Sequence, residues 1–198
     1  MAFSLVIGGA RSGKSLFAEE LINASRADYV RYGATGPATT DDPDWDERIA
    51  RHQARRPSHW DTVVSCDPAA LLAPFPQTGQ SALLVDDLPS WVTHQLSNLT
   101  DWETCTPPQL TTLLDRAESF ASHTVACAAH GVDIVVVTLE VGWGVSPSTP
   151  AGNLFRDVLG RVNQIWAAAA DSVTLVVAGL PLPLKPSPSS FQIMPRSN

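Results

Sequence analysis

A glycine-rich run near the start of the chain, Gly8-Gly9-Ala10-Arg11-Ser12-Gly13-Lys14-Ser15, follows directly on the apolar stretch 3–7. It fits the pattern G-x-x-x-x-G-K-[ST], whose glycines let the backbone turn tightly and aim several N–H groups at a polyphosphate. Lys14 would set a positive charge against the β- and γ-phosphates, and the Ser15 hydroxyl can hold Mg2+. Residues 16–24 are helix-compatible, so the positive end of a helix would face the same phosphates. Lysine is scarce here, Lys14 and Lys185 standing against eleven arginines. A lysine in this loop is not compositional background, and the chain reads as a binder of a nucleoside triphosphate.

A second cluster is cationic. The stretch 42–56 opens with Asp42, Pro43, Asp44, Asp46 and Glu47 and closes with Arg48, Arg51, Arg55 and Arg56. Acid first and base last suits the helix dipole, and a solvated amphipathic helix accounts for that order. Arg48, His52 and Arg55 also fall at i, i+4 and i+7, which places them on one helix face with Arg56 adjacent. An imidazole flanked by guanidiniums suits a phosphate site, and such a histidine can attack phosphorus. Spacing alone leaves both readings open.

Two further strand ends carry acids. Asp86 and Asp87 close the apolar run 82–85, where a carboxylate of a P-loop protein helps to hold Mg2+, although a strand-terminal turn would look the same. Glu140, with Gly142 and Gly144 behind it, ends another apolar run and fits either a site-lining loop or a plain turn. His59, His94, His123 and His130 show no metal-ligand spacing, and core or surface places suit them better.

The elements that must position these residues follow from apolar runs. Residues 82–85, 132–138 and 173–178 are nearly continuous in apolar, often β-branched types, which suits parallel strands buried on both faces. Short strand 29–32 runs into Gly33-Ala34-Thr35-Gly36, and Pro57 stops the helical stretch that ends at Arg56. Helical stretches over 90–98, 108–130 and 152–170 alternate with the strands. This predicts an α/β fold of the P-loop nucleoside triphosphate hydrolase-like type, a mainly parallel sheet flanked by helices with its site at the carboxyl ends of the strands. One domain over 1–180 is expected, with a Pro/Ser-rich, irregular tail over 181–198.

Composition narrows the class. A formal net charge of −7 argues against a general nucleic-acid binder. No apolar run reaches the ~18 residues that span a bilayer, and the chain enters its first strand without a signal-like segment. The three cysteines form no C-x-x-C pair, so a reduced, cytoplasmic setting is expected.

Taken together, the motifs resemble the bifunctional adenosylcobinamide kinase/adenosylcobinamide-phosphate guanylyltransferases of cobalamin biosynthesis. The matching segments, in family order, are 8–15, Tyr32-Gly33-Ala34-Thr35, Glu47-Arg48-Ile49-Ala50-Arg51-His52-Gln53, Arg56-Pro57-Ser58-His59-Trp60, Val85-Asp86-Asp87-Leu88 with Trp91, and Thr138-Leu139-Glu140-Val141-Gly142. The longest is Phe155-Arg156-Asp157-Val158-Leu159-Gly160-Arg161-Val162-Asn163-Gln164. The P-loop is generic, whereas the R-I-x-x-H and F-R-D-x-x-G-R-V-N-Q segments together are specific.

The resemblance implies phosphorylation of the aminopropanol hydroxyl of adenosylcobinamide by ATP or GTP. Transfer of GMP from GTP to that phosphate through a guanylylated histidine would follow. That histidine falls on His52, and the nucleotide contacts fall on Gly8, Gly9, Ala10, Arg11, Ser12, Gly13, Lys14, Ser15, Ala34, Thr35, Gly36, Gln53, Ala54, Arg55, Arg56 and Asp86. Ser15 and Asp86 would serve Mg2+, and the assembly would be a homotrimer. The chain departs from the family pattern at Val64, where a glutamate is usual nearby, at Leu139, where asparagine is common, and at Pro89, where threonine is frequent. A small-molecule kinase without guanylyl transfer, or a nucleotide-binding regulatory protein, are the competing readings.

Overall fold

The computed structural model describes residues 3–36, 47, 50, 53–54, 56–76, 78–99, 101–102 and 104–185. Its strands are β1 (Phe3–Gly8), β2 (Tyr29–Ala34), β3 (Asp61–Val64), β4 (Ser81–Asp86), β5 (Val132–Leu139), β6 (Ser172–Val177) and β7 (Leu180–Lys185). The described helices are α1 (Lys14–Ser25), α2 (Pro68–Leu71), α3 (Leu88–Leu99), α4 (Pro107–Ala129) and α5 (Pro150–Ala169). The strands form one sheet in the order β3-β2-β4-β5-β1-β6-β7, parallel throughout except for β7. The expected mainly parallel α/β architecture is the one observed.

The central strands are buried along their whole length because both faces are covered. Leu5, Ile7, Leu83, Val85, Ile134 and Val136 join one core with α3, α4 and α5. Their alternates Val6, Leu84, Val135 and Val137 join a second core with Ala18 and Ile22 of α1. This period-two division is what a pleated strand between two helical layers requires. Aromatic rings fill the first core, Trp166 meeting Phe120 edge-on at 4.9 Å and Phe3 at 5.8 Å.

Helix starts follow local capping chemistry. Thr106 and Gln109 form a reciprocal capping box ahead of α4, and the Thr149 hydroxyl accepts from the N–H of Gly152 at 3.1 Å ahead of α5. Both helices place proline in their first turn, where its missing N–H costs nothing.

Two parts of the fold differ from the sequence expectation. Strand β3 and the single-turn α2 were not anticipated, because Asp61–Val64 is a four-residue edge strand with little apolar signal. The irregular tail expected from residue 181 is corrected for its first part, since Leu180–Lys185 pairs antiparallel with β6. Ala178 and Gly179 both take positive φ, 52° and 79°, which is the two-residue turn that suits the twist of a hairpin. Pro181 and Pro183 are tolerated because β7 lies at the sheet edge, where alternate N–H groups need no partner in the ladder. Residues 186–198 lie outside the described residues, as do the acidic stretch 39–44, Arg48, Arg51, His52 and Arg55.

Candidate active site

Strand β1 runs between β5 and β6, and its carboxyl end delivers the glycine-rich loop to the middle of the sheet. The loop closes on itself: the Ser12 N–H donates to Gly9 O at 3.3 Å, and the Ser12 hydroxyl accepts from the Lys14 N–H at 3.4 Å. Gly13, the N-cap of α1, has φ +92°, a conformation that costs other residues energy. Gly8 is needed for a different reason. A Cβ there would lie 2.6 Å from both the Val176 carbonyl oxygen and Ser12 Oγ. The hairpin turn after β6 supports the loop from outside, Gly179 N–H donating to Ser12 O at 2.8 Å. Lys14 is 5% exposed, and its Nζ reaches back to Gly9 O at 3.4 Å, a long bond that a phosphate oxygen would exceed in strength.

The two acids after β4 have different surroundings. Asp87 serves the next helix: its carboxylate accepts from the Ser90 N–H at 3.1 Å and from the Ser90 hydroxyl at 2.8 Å, fixing the start of α3. Burial, and then the neighbouring charge of Asp86, push its pKa upward, while the Ser90 hydrogen bonds and the Lys14 charge oppose the shift. Asp86 is instead held by Tyr32, whose phenol donates to Asp86 Oδ2 at 2.8 Å. Burial and the charge of Asp86 raise the Tyr32 pKa far above its ordinary range, so the phenol stays a donor. The Arg56 guanidinium lies 3.6 Å above the ring of Tyr32. Tyr32, 54 positions before Asp86, thus meets its carboxylate, and Arg56, 30 positions before it, covers the Tyr32 ring.

Register explains the place of the 34–36 segment. Ala34 pairs with Asp86 across β2 and β4, and the Thr35 N–H donates to Asp86 O at 3.3 Å. The Thr35 hydroxyl exchanges hydrogen bonds with both backbone groups of Asp87. Thr35, 1% exposed, is a strut that locks β2 to the end of β4. On the other flank, the Glu140 N–H donates to Gly8 O at 3.2 Å, while its carboxylate accepts from Gly142 N–H at 2.6 Å. The Glu140 side chain therefore closes its own turn.

The structure joins Ala34, Thr35, Asp86 and, through Tyr32, Arg56 at the ends of β2 and β4, and the charge of Lys14 reaches the neighbouring Asp87. Gln53 and Ala54 are exposed helical residues, and Gln53 O accepts from the Arg56 N–H at 3.3 Å. His52 and Arg55 lie outside the described residues. Spacing could not have given Tyr32 and Asn163 their parts. Asn163 of α5 accepts from the Thr138 hydroxyl at 2.6 Å and donates to Leu139 O at 3.0 Å, bracing the end of β5. Its only sequence signal was membership of the 155–164 segment. A cavity of about 510 Å3, lined by Asp67, Trp91, Gln95, Arg116 and His123 among others, lies apart from all the expected site residues.

The chain is 37% identical to the bifunctional adenosylcobalamin biosynthesis protein CobP of Pseudomonas aeruginosa over 93% of its own length and 98% of that protein's. It is 37% identical to the bifunctional adenosylcobalamin biosynthesis protein CobU of Salmonella typhimurium, covering 91% and 98% of the two chains. Its fold is similar to an ATPase of a bacterial type III secretion system, with a TM-score of 0.56 at 11% identity, over 92% of this chain and 56% of that one. A Pyrococcus horikoshii OT3 protein is similar with a TM-score of 0.54 at 6% identity, over 95% and 88% of the chains. These two likenesses concern the fold alone. Residues 4–184 match the family described as cobinamide kinase / cobinamide phosphate guanyltransferase, and the chain belongs to that family.

Proposed function

We propose that this protein phosphorylates the aminopropanol hydroxyl of adenosylcobinamide with ATP or GTP. It then transfers GMP from GTP to the new phosphate through His52, giving adenosylcobinamide-GDP. The observation that carries the reading is the P-loop itself, with Lys14 at its base, and Asp86 held by Tyr32 at the end of β4, in a chain matched by the family from residue 4 to residue 184.

In the first reaction the acceptor oxygen attacks the γ-phosphorus and the nucleoside diphosphate leaves. The loop N–H groups, the positive end of α1 and Lys14 stabilise the charge spread over the phosphoryl oxygens. Ser15 and Asp86 offer the hard oxygen donors that suit Mg2+, an ion that takes one or two protein ligands and completes its shell with phosphate and water. When bound, that ion would supply further neutralisation of phosphate charge. Tyr32 keeps the Asp86 carboxylate in one orientation.

In the second reaction an imidazole nitrogen of His52 attacks the α-phosphorus of GTP and pyrophosphate departs. The acceptor's phosphate oxygen then attacks the same phosphorus, the N–P bond breaks, and His52 is regenerated. Arg56, and Arg48 and Arg55 by their helical spacing, supply cations for the polyphosphate. The resemblance adds a homotrimer in the cytoplasm to this reading; no described helix is long and apolar enough to cross a membrane.

Incubation with α-labelled GTP and Mg2+ tests the reading. The expected product is an acid-labile, alkali-stable adduct on His52, absent from His52→Ala, which retains kinase turnover. GMP mass on His59 or a lysine, with His52 unmodified, removes His52 from the mechanism. A protein that phosphorylates the acceptor without any adduct is a kinase alone, and one that does neither is a binding protein.

A further inference from the structure

Ten residues, 140–149, join β5 to α5 beside the P-loop, and this connection displays two large apolar side chains to water. Trp143 is 73% exposed and Val145 98%. Elsewhere among the described residues, large exposed apolar groups stand singly, as Leu16, Val64 and Val125, or belong to the edge hairpin around β7.

This exposed apolar crown, Trp143 with Val145, is displayed by a braced connection. Its first residue is bonded to Gly8 O, and Glu140 closes the turn through Gly142. Its far end is tied to α5, with Arg156 Nη1 donating to Ser146 Oγ at 2.9 Å and Asn153 Nδ2 to Pro147 O at 2.8 Å. Trp143 follows Glu140 by three residues, so its Cα lies within ~11 Å of the residue bonded to the P-loop. Apolar groups fixed in water at the rim of a site mark a binding surface.

We infer that Trp143, with Val145, is the platform on which the corrin macrocycle of the acceptor rests while its aminopropanol arm enters the P-loop. The inference rests on the proposed function. Cobinamide presents a short polar arm on a wide, methyl-bearing ring. The arm alone is narrow enough for a loop shaped around phosphates, so the ring must lie on the rim. An indole face offers it a broad apolar contact at low conformational cost. Such a contact is made equally in the ground and transition states, so it acts on KM and leaves kcat unchanged.

The experiment is steady-state phosphorylation of adenosylcobinamide by wild type, Trp143→Ala, Trp143→Phe and Val145→Ala, with sedimentation of each. The expected result for Trp143→Ala is a KM for the acceptor raised about tenfold, with kcat, the KM for nucleotide and the sedimenting mass unchanged. Trp143→Phe recovers most of the loss, and Val145→Ala shows a smaller one. An acceptor KM within about twofold of wild type overturns the platform. So does a loss accompanied by lower sedimenting mass, which makes the crown a contact between copies, or by an equal rise in nucleotide KM, which makes it a support of the P-loop. A wild-type protein that does not phosphorylate adenosylcobinamide overturns the proposed function itself, and the platform with it.

Discussion

Replacing Gly8 by alanine separates the geometric account of the phosphate loop from a merely conformational one. The added Cβ would lie 2.6 Å from Val176 O and from Ser12 Oγ. Carbon and oxygen rarely approach closer than about 3.3 Å, so each contact must open by roughly 0.7 Å. Ser12 Oγ can rotate away, though only by giving up the Lys14 N–H. Val176 O cannot, because Gly8 and Val176 are the last pair of the β1–β6 register. Overfilling of this kind costs about 1–3 kcal/mol of stability. Relief requires the loop to move away from β6 and carry Lys14 with it, and misplacement of a phosphate ligand by such a distance costs on the order of 100-fold in turnover. Urea denaturation and kinase turnover measure the two effects. Gly9→Ala is the control for stability, since a Cβ there meets nothing within 4 Å. Gly8→Ala with the stability of Gly9→Ala and wild-type turnover would refute the reasoning.

Three other outcomes are expected. Lys14→Ala should lower phosphoryl transfer by about 100-fold or more in a folded protein, because the lysine acts on the transferred group; undiminished turnover counts against the P-loop assignment. Asp86→Asn should raise the Mg2+ concentration needed for half-maximal activity, and an unchanged requirement places the ion elsewhere. Asn163→Leu leaves the Thr138 hydroxyl and Leu139 carbonyl without their partner and should cost about 2–4 kcal/mol of stability, read from the denaturation midpoint.

The phosphate loop was legible because its chemistry is local. Strand, glycines, lysine and helix follow one another within fifteen residues, and each has one reason to be there. The parallel sheet was legible from β4 and β5, whose apolar runs are too continuous for strands with a wet face. Pairings between distant residues were not. The bond from Tyr32 to Asp86 depends on the register of β2 against β4, and period-two patterns carry no register when both faces are apolar. Strand β7 was hidden by its own prolines, whose tolerance depends on lying at an edge. Asp87 could not be told from Asp86 in sequence, yet one caps a helix and the other meets Tyr32, a difference set by the start of α3.

The bond from Gly179 to Ser12 sets a timetable for the newborn chain. The turn that supports the glycine-rich loop is made more than 160 residues after the loop itself. Strands β5 and β6, which flank β1, also arrive late. Capture of a triphosphate thus reports on a chain made at least as far as that turn, and a fragment halted before the closing hairpin would carry the whole motif without its support. Nucleotide present during synthesis can favour the finished fold but has little purchase on the earlier, open intermediates.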